Sequence, residues 1–196
     1  EQIALCGAQI ATTRIVSPLG TVALAANSFG VTAESLCYMP GYGIQSAATT
    51  LVGQSIGAGK KGEARHFAWT TVACGMVVMA FSAIVMYFAS PLVFSFFTPD
   101  KSVQALGVRV LKIELFAEPL FAASIVASGA LRGAEDTLVP SLITLVSIWG
   151  VRISLGLVLS SRLGLIGVWI AMCTELCFRG LLLLFRLFIS PRLKER

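Results

Sequence analysis

The most informative stretch of the chain is residues 36–59, LCYMPGYGIQSAATTLVGQSIGAG. It is as apolar as a membrane helix, yet it holds a proline and two glycines close together, at Pro40, Gly41 and Gly43. Because proline removes a backbone hydrogen bond and crowds the preceding turn, we expect these three residues to form a hinge. A basic segment follows, with Lys60, Lys61, Arg65 and His66. The combination predicts a polytopic membrane protein with moving helices.

Composition supports this interpretation. Of the 196 residues, 56% are apolar and only 13% are charged, and the mean hydropathy is +0.84. A soluble domain has about 25% charged residues, so this chain could not cover a soluble surface. The net charge of +5 does not indicate nucleic acid, because the cations collect between apolar runs and at the C-terminus, as in cytoplasmic loops.

The apolar runs predict six helices, at about 1–17, 21–57, 64–90, 102–132, 137–160 and 164–189. Apolar runs of 20 or more residues recur among them, which is long enough to cross a hydrocarbon core of about 30 Å, and they lack the alternation of a membrane barrel. Pro119 should kink the fourth helix and act as a second hinge. The predicted fold is therefore an all-α membrane protein, a six-transmembrane-helix bundle. The chain opens on Glu1, inside or just before an apolar run, so we expect it to be a fragment.

Loop charges predict the orientation. The loop after the second helix, the loop after the fourth helix and the C-terminal tail carry most of the cations, which are Lys60, Lys61, Arg65, Arg132, Arg192, Lys194 and Arg196. The opposite side offers Lys101 and Arg162, with Arg14 near that end of the first helix. The positive-inside rule then places the C-terminus in the cytoplasm.

Acidic residues inside the apolar runs are the candidate sites for ion coupling. Glu114 and Glu118 lie four residues apart, so they should share one face of the fourth helix, and Glu34 lies in the second helix before the proline. Intramembrane carboxylates usually face a cavity or a partner, and these could bind a proton or a small cation. The alternative is a structural ion pair with Arg109 or Lys112. Arg152 and the i, i+4 pair of Glu175 and Arg179 are interpreted as structural.

Three polar side chains of the second helix are candidates for lining a cavity: Tyr38, Gln45 and Gln54. The same helix holds a G-x-x-x-G pair, Gly53 and Gly57, which allows helix backbones to approach closely. That pair serves either static packing or the rocking of helices in an alternating-access carrier.

Several functions are disfavoured by missing motifs. The sequence has no nucleotide-binding loop, and its single histidine, His66, allows neither a Ser/His/Asp set nor a metal cluster, so we expect no enzyme, no metal and no cofactor. The five cysteines lie inside apolar runs and are expected to be free, buried packing residues; they are Cys6, Cys37, Cys74, Cys173 and Cys177.

Three segments resemble the signature of multidrug and toxic compound extrusion (MATE) transporters. They are Tyr38-Met39-Pro40-Gly41-Tyr42-Gly43, then Ala47 to Gly59, and Ala130-Leu131-Arg132-Gly133-Ala134-Glu135-Asp136-Thr137. Leu19-Gly20 with Ala23 to Ala26, and Gly167-Val168-Trp169 with Arg179, agree as well. The order and spacing match over essentially the whole chain, and the bacterial DinF-like branch is the most similar. Glu135 stands where the usual turn has glycine.

The resemblance implies one lobe of a twelve-helix fold. This chain would be the C-terminal six-helix lobe, with the N-terminal lobe missing and the small-molecule cargo bound between the lobes. It implies a bacterial inner-membrane exporter of cationic or amphiphilic compounds, driven by H⁺ or Na⁺. An acid on helix ten binds the cation in some members, and Glu114 or Glu118 lies in that region. The alternatives are a lipid-linked oligosaccharide flippase of the same superfamily, or a membrane scaffold that transports nothing.

Overall fold

A computed structural model describes residues 2–193, and every regular element in that range is helical. Eight α-helices follow in chain order: α1 (Gln2–Val16), α2 (Thr21–Gly57), α3 (Lys61–Phe97), α4 (Lys101–Glu114), α5 (Glu118–Gly133), α6 (Leu138–Val146), α7 (Ile153–Leu163) and α8 (Leu165–Ile189). A 3₁₀ turn (Ser17–Leu19) links α1 to α2, and a π-helical segment (Ser147–Arg152) joins α6 to α7. The predicted second helix coincides with α2, whereas α3 is longer than predicted at both ends.

The predicted fourth helix is two helices, so the expected single kinked helix is wrong. It ends at Glu114 and restarts at Glu118 after a three-residue turn, in which the Ala117 amide donates to the Glu114 carbonyl at 2.7 Å. Pro119 explains the break, because its ring would clash with the carbonyl four residues earlier and it has no N–H to donate. Pro40 does not have this effect, since α2 continues through it without interruption.

Three helical stretches are long and apolar enough to cross a membrane by length and composition: Lys61–Phe97, Leu138–Leu163 and Leu165–Ile189. The last two correspond to the fifth and sixth predicted spans. Because the π segment continues the helix between α6 and α7, those two helices form one such stretch.

The chain divides into two compact units. Unit 1 comprises residues 1–37, 82–117 and 145–175, and unit 2 comprises residues 38–81, 118–144 and 176–196. Each unit has its own hydrophobic cluster. The helices α2, α3 and α8 each have one part in unit 1 and the other part in unit 2.

Unit 1 is built around large aromatic side chains seated on glycine. Trp169 is fully buried, and its indole N–H donates to the Asn27 side chain at 3.1 Å. A Cβ added at Gly30 would lie 2.7 Å from Cζ2 of that indole, so only glycine lets the ring lie flat against α2. Phe94 packs on Gly107 in the same way and is also fully buried.

Unit 2 is built on close backbone contact between α2 and α5. A Cβ at Gly129 would lie 2.7 Å from the Gln45 carbonyl oxygen, and a Cβ at Gly133 would lie 2.5 Å from that of Thr49. The Thr49 hydroxyl donates across this contact to the Gly129 carbonyl at 2.9 Å. The predicted pair in α2 is therefore only half used, because Gly53 faces Gly133 whereas nothing lies within 4 Å of a Cβ at Gly57.

The five cysteines are free, as expected. Only one of them, Cys37, is fully buried, since Cys173 and Cys177 are partly exposed and Cys6 and Cys74 are exposed. The prediction of buried packing residues is therefore correct for Cys37 alone. The exposed thiols lie on apolar helices, where a lipid or protein surface would cover them.

Candidate functional site

Unit 1 contains three deeply buried acids. The exposed fractions of Glu34 in α2, Glu114 at the end of α4 and Glu175 in α8 are 6%, 1% and 0%. Burying an ionised carboxylate costs several kcal/mol unless it is paired or protonated. Such burial therefore requires a bound cation, a proton or a hydrogen-bonding partner for each side chain.

Glu175 holds a partner. Its carboxylate lies 3.2 Å from the guanidinium of Arg152, the last residue of the π segment, and 21% of the Arg152 side chain is exposed. This pair joins α8 to the π segment within unit 1. It agrees with the structural interpretation of both residues. No local spacing in the sequence indicates this pair, because the two residues lie on different helical segments. The proposed pairing of Glu175 with Arg179 stays a prediction.

Lys112, one of the two cations proposed as partners of the coupling acids, contacts an aromatic ring. Its ammonium lies over the Tyr87 ring, 4.5 Å from the ring centroid. The alternative of a structural ion pair between the coupling acids and Arg109 or Lys112 stays a prediction.

Unit 2 places Glu118 at the start of a polar and aromatic group. Glu118 is the first residue of α5 and 1% exposed, and Phe121 lies three positions later on the same face of that helix. The Arg179 guanidinium lies 5.6 Å from the Phe121 ring centroid, and the Tyr38 ring meets the same ring edge-on at 5.7 Å. Together Glu118, Phe121, Arg179 and Tyr38 offer an acid, a cation and two aromatic faces, and we call them the α5 cluster.

The α5 cluster was predicted only in part. Tyr38 and Glu118 were singled out from the sequence, whereas Phe121 was missed and Arg179 was assigned a pairing role. Glu118 and Phe121 share an i, i+3 spacing that could have indicated one face. The contribution of α8 comes from a helix 58 residues later in the chain (179 minus 121), which no pattern in the sequence reveals.

The other predicted lining residues have different surroundings. Gln45 is partly buried and packs against α5 at Gly129, while Gln54 is exposed one turn before the end of α2. Neither contact tests a role in binding cargo, so lining stays a prediction for both.

The predicted hinges coincide with the limits of the two units along the chain. Tyr38 and Glu118 each open a segment of unit 2, and Pro40 and Pro119 follow them within three residues. The π segment likewise begins within three residues of Leu145, where unit 1 resumes. Gly41 is buried and Gly43 is exposed. The backbone is irregular at two of these limits, the turn before Glu118 and the π segment after Leu145, whereas α2 stays helical at Pro40.

Within residues 2–193, no group of three or more His, Cys, Asp and Glu side chains is arranged to hold a metal ion.

Comparison with known proteins identifies close relatives. The MatE family model matches residues 1–158. A probable multidrug resistance protein NorM of Thermotoga maritima is 35% identical over 184 residues, which cover 90% of this chain and 38% of that relative. A probable NorM of Deinococcus radiodurans is 32% identical and covers 92% of this chain and 42% of its own length.

Solved structures share the fold. The Vibrio cholerae MATE transporter VcmN in its bent form superposes with a TM-score of 0.89 at 14% identity, over 98% of this chain and 43% of that chain. A transporter of the MOP superfamily from Pyrococcus furiosus superposes with a TM-score of 0.88 at 19% identity, over 96% of this chain and 42% of that chain. The chain spans about two fifths of the length of these relatives. The two relatives described here carry the name NorM, and assignment to the DinF-like branch stays a prediction.

Proposed function

Because this chain belongs to the MatE family, we propose that it forms the C-terminal lobe of a secondary active exporter. The exporter moves cationic or amphiphilic small molecules out of a bacterial cell in exchange for H⁺ or Na⁺. The chain's share of its relatives' length supports the lobe assignment, since 38–43% of each is one lobe of two. Cargo then binds between this lobe and an N-terminal partner lobe, in the inner membrane, with the C-terminus in the cytoplasm.

The burial of the predicted coupling acids carries this proposal. Glu34, Glu114 and Glu118 are between 1% and 6% exposed, and each belongs to a helix of a membrane-protein family. Acids at such positions are expensive and commonly mark ion pathways. A carboxylate that accepts a proton or a cation in one conformation and releases it in another would couple that ion to transport, which gives its burial a function.

Glu114 and Glu118 flank the turn at residues 115–117, which gives them a way to act on conformation. A coupling ion shifts a conformational equilibrium only through its different affinity for the two states. Charge neutralisation at either end of this turn changes the free energy of the helix terminus that carries the acid. Glu118 lies at the N-terminus of α5, where the negative carboxylate is favoured, and Glu114 lies at the C-terminus of α4, where it is disfavoured. Protonation therefore stabilises the α4 end and destabilises the α5 start.

The α5 cluster supports an amphiphilic cargo with a positive charge. The Phe121 ring already faces the Arg179 guanidinium, so the cluster offers a cargo cation the ring of Tyr38 and the negative charge of Glu118. Flat aromatic cations such as ethidium combine both requirements, which makes ethidium a suitable transport probe.

The experiment measures ethidium efflux from vesicles that contain the full-length protein, with H⁺ and Na⁺ gradients imposed separately. Three variants replace a buried acid, Glu34→Gln, Glu114→Gln and Glu118→Gln. The control is Glu63→Gln, since Glu63 is exposed and pairs with Lys60 at 2.9 Å. We expect at least one buried-acid variant to lose the gradient-driven part of efflux while the control keeps it.

Gradient-driven efflux that survives in all three variants contradicts the proposed coupling. Efflux that depends on neither gradient contradicts antiport itself. In that case, transfer of a lipid-linked oligosaccharide across the vesicle membrane tests the flippase alternative, and the absence of both activities favours the scaffold.

A further inference from the structure

The first two turns of α3 border a cavity in unit 2. Its volume is about 350 Å³, and it is lined by Gly62, Arg65, His66 and Trp69. These positions follow the i, i+3, i+4, i+7 spacing of a single helix face. Because Gly62 has no side chain, the face is recessed at its aqueous end, with the two basic side chains in the middle and the indole one turn further on.

Two exposed cations lie at or beside this cavity, Lys61 and Arg65. In unit 2, Arg186 lies 2.6 Å from Asp136, Arg192 lies 2.8 Å from Glu135, and Lys60 lies 2.9 Å from Glu63. No ion pair shown for residues 2–193 includes Lys61 or Arg65. Glu63, the acid between them, already faces Lys60. Within the described residues, positive charge is therefore concentrated on one side of this helix.

The position of the cavity along α3 indicates what supplies the counter-charge. The sequence changes from charged to apolar at Phe67, and α3 then continues as one of the stretches able to cross a membrane. At 1.5 Å per residue, Arg65 and Trp69 differ in height by about 6 Å along the helix. Trp69 is partly buried at the start of the apolar run, which is where tryptophan marks the membrane–water interface. Arg65 and His66 then lie at the depth of lipid headgroups.

We propose that this cavity binds the phosphate group of an anionic phospholipid. Arg65 and His66 supply hydrogen-bond donors for the phosphate oxygens, Gly62 leaves room for the headgroup, and Trp69 contacts the upper acyl region. Lys61 adds long-range attraction. Basic clusters at this depth attract anionic lipids by about 1 kcal/mol for each cation near the surface. The site is independent of the coupling acids, so it goes beyond the transport proposed above.

The test compares lipid binding by three forms of the full-length protein. Phosphatidylglycerol and phosphatidylcholine are titrated into the detergent-solubilised protein, and native mass spectrometry counts bound lipid. Arg65→Gln/His66→Gln removes two donors from the cavity. The matched control, Lys101→Gln/Arg162→Gln, removes two exposed cations that lie in unit 1 and do not border the cavity. We expect the unsubstituted protein to prefer phosphatidylglycerol, and the cavity variant to bind it roughly tenfold more weakly, as expected for the loss of about 1.4 kcal/mol. The control should retain the original affinity.

A fourth form, Gly62→Leu, distinguishes binding in the cavity from attraction to the positive charge alone. Gly62→Leu fills the cavity and keeps every charge, so weakened phosphatidylglycerol binding in this variant supports the cavity. The proposal is overturned if Gly62→Leu and Arg65→Gln/His66→Gln both bind phosphatidylglycerol with the affinity of the unsubstituted protein. Equal binding of phosphatidylglycerol and phosphatidylcholine by the unsubstituted protein overturns it as well. Displacement of phosphatidylglycerol by millimolar inorganic phosphate overturns the membrane source and leaves a site for a soluble phosphate.

Discussion

Both compact units pack helices on glycine, and one glycine of each unit shows how different the neighbouring atoms can be. In unit 1 the neighbour of Gly30 is the indole ring of Trp169, a side chain that can rotate or be shortened. In unit 2 the neighbour of Gly133 is the backbone of Thr49, which is fixed by the hydrogen bonds of α2. The same residue type thus creates two kinds of contact. A new methyl group at Gly30 can be accommodated by a shift of the indole, whereas at Gly133 a whole helix has to move.

The two units also treat their acids differently. Unit 1 buries Glu34, Glu114 and Glu175, whereas unit 2 buries Glu118 and Asp136 and places Glu63 and Glu135 in exposed ion pairs. Exposed pairs contribute little to stability, so those of Glu63 and Glu135 add little to the stability of unit 2.

The largest effect is expected at that backbone contact. Gly133→Ala puts a Cβ 2.5 Å from the Thr49 carbonyl oxygen and 3.1 Å from its Cα, so α2 and α5 must separate. We expect the free energy of unfolding to fall by about 3 kcal/mol, at the upper end for overpacking. Thermal unfolding in detergent, followed by tryptophan fluorescence, measures it.

The matched control for this prediction is Gly57→Ala. Nothing lies within 4 Å of a Cβ at Gly57. The free energy of unfolding of this variant should therefore stay the same or rise by up to about 1 kcal/mol, because alanine has a better helix propensity than glycine. Equal losses in the two variants would show that α2 and α5 do not rely on close approach at Gly133.

A smaller effect, which a second substitution should relieve, is expected in unit 1. Gly30→Ala puts a Cβ 2.7 Å from Cζ2 and 2.8 Å from Cη2 of Trp169, two atoms that phenylalanine lacks. We expect a loss of about 1–2 kcal/mol, because the indole can shift at the expense of its bond to Asn27. In a Trp169→Phe background the same substitution should be nearly neutral.

The double-mutant cycle sharpens the contrast between the units. A coupling energy of at least about 0.5 kcal/mol between Gly30→Ala and Trp169→Phe supports a movable neighbour. If the losses of stability in Gly30→Ala and Trp169→Phe are additive, the new methyl group clashes with backbone and not with the indole. The contact at Gly30 would then be of the same kind as the contact at Gly133.

Much of this fold could be predicted from the sequence because it depends on hydropathy along the chain. The apolar runs located every helix, and α2 has the predicted bounds because Gly20 and Gly57 mark its ends. The two prolines could not be told apart in this way, since Pro40 is tolerated inside α2 and Pro119 is preceded by a break. Whether a helix bends or stops depends on what packs beside the proline, and that is set by residues distant in the sequence.

The candidate site was less predictable for the same reason. Glu34, Glu114 and Glu118 could be singled out because a carboxylate in an apolar run is locally unusual. Their neighbours could not, since Arg179 approaches Phe121 from α8 and Arg152 meets Glu175 across unit 1. The sequence therefore located the buried charge, and the structure located the groups that surround it.

The third prediction concerns the turn between α5 and α6. Glu135 has a φ of +60°, whereas the residues of unit 1 with positive φ in the described range, Gly20 and Gly164, are glycines. Glu135→Gly removes left-handed strain of about 1 kcal/mol and loses only an exposed pair with Arg192. We expect a net gain of about 0.5 kcal/mol in the free energy of unfolding.

Glu135→Gln is the control for this gain, because it keeps the Cβ and therefore the strain while removing the charge. Its stability should be unchanged or lower by up to about 0.5 kcal/mol. A higher free energy of unfolding in both variants would mean that the charge of Glu135, and not its backbone conformation, causes the effect. The turn of unit 2 would then not differ in strain from the glycine turns of unit 1.

The smallest effect is expected at the acid that begins α4 in unit 1. The Asp100 side chain accepts hydrogen bonds from the Ser102 hydroxyl and from the Ser102 amide at 2.9 Å, and these bonds hold the pKa of Asp100 below its ordinary value. Because the folded pKa is lower than the unfolded one, the ionised cap stabilises the fold above the ordinary aspartate pKa of about 3.9, and this contribution is lost as the pH falls through the folded pKa. Asp100→Asn still caps the helix but does not titrate. The difference in melting temperature between the unsubstituted protein and Asp100→Asn, measured from pH 6 down to pH 3, should therefore shrink on acidification. A constant difference over this range would mean that the hydrogen bonds from Ser102 do not favour the ionised form of Asp100, and that this cap of unit 1 contributes no pH-dependent stability.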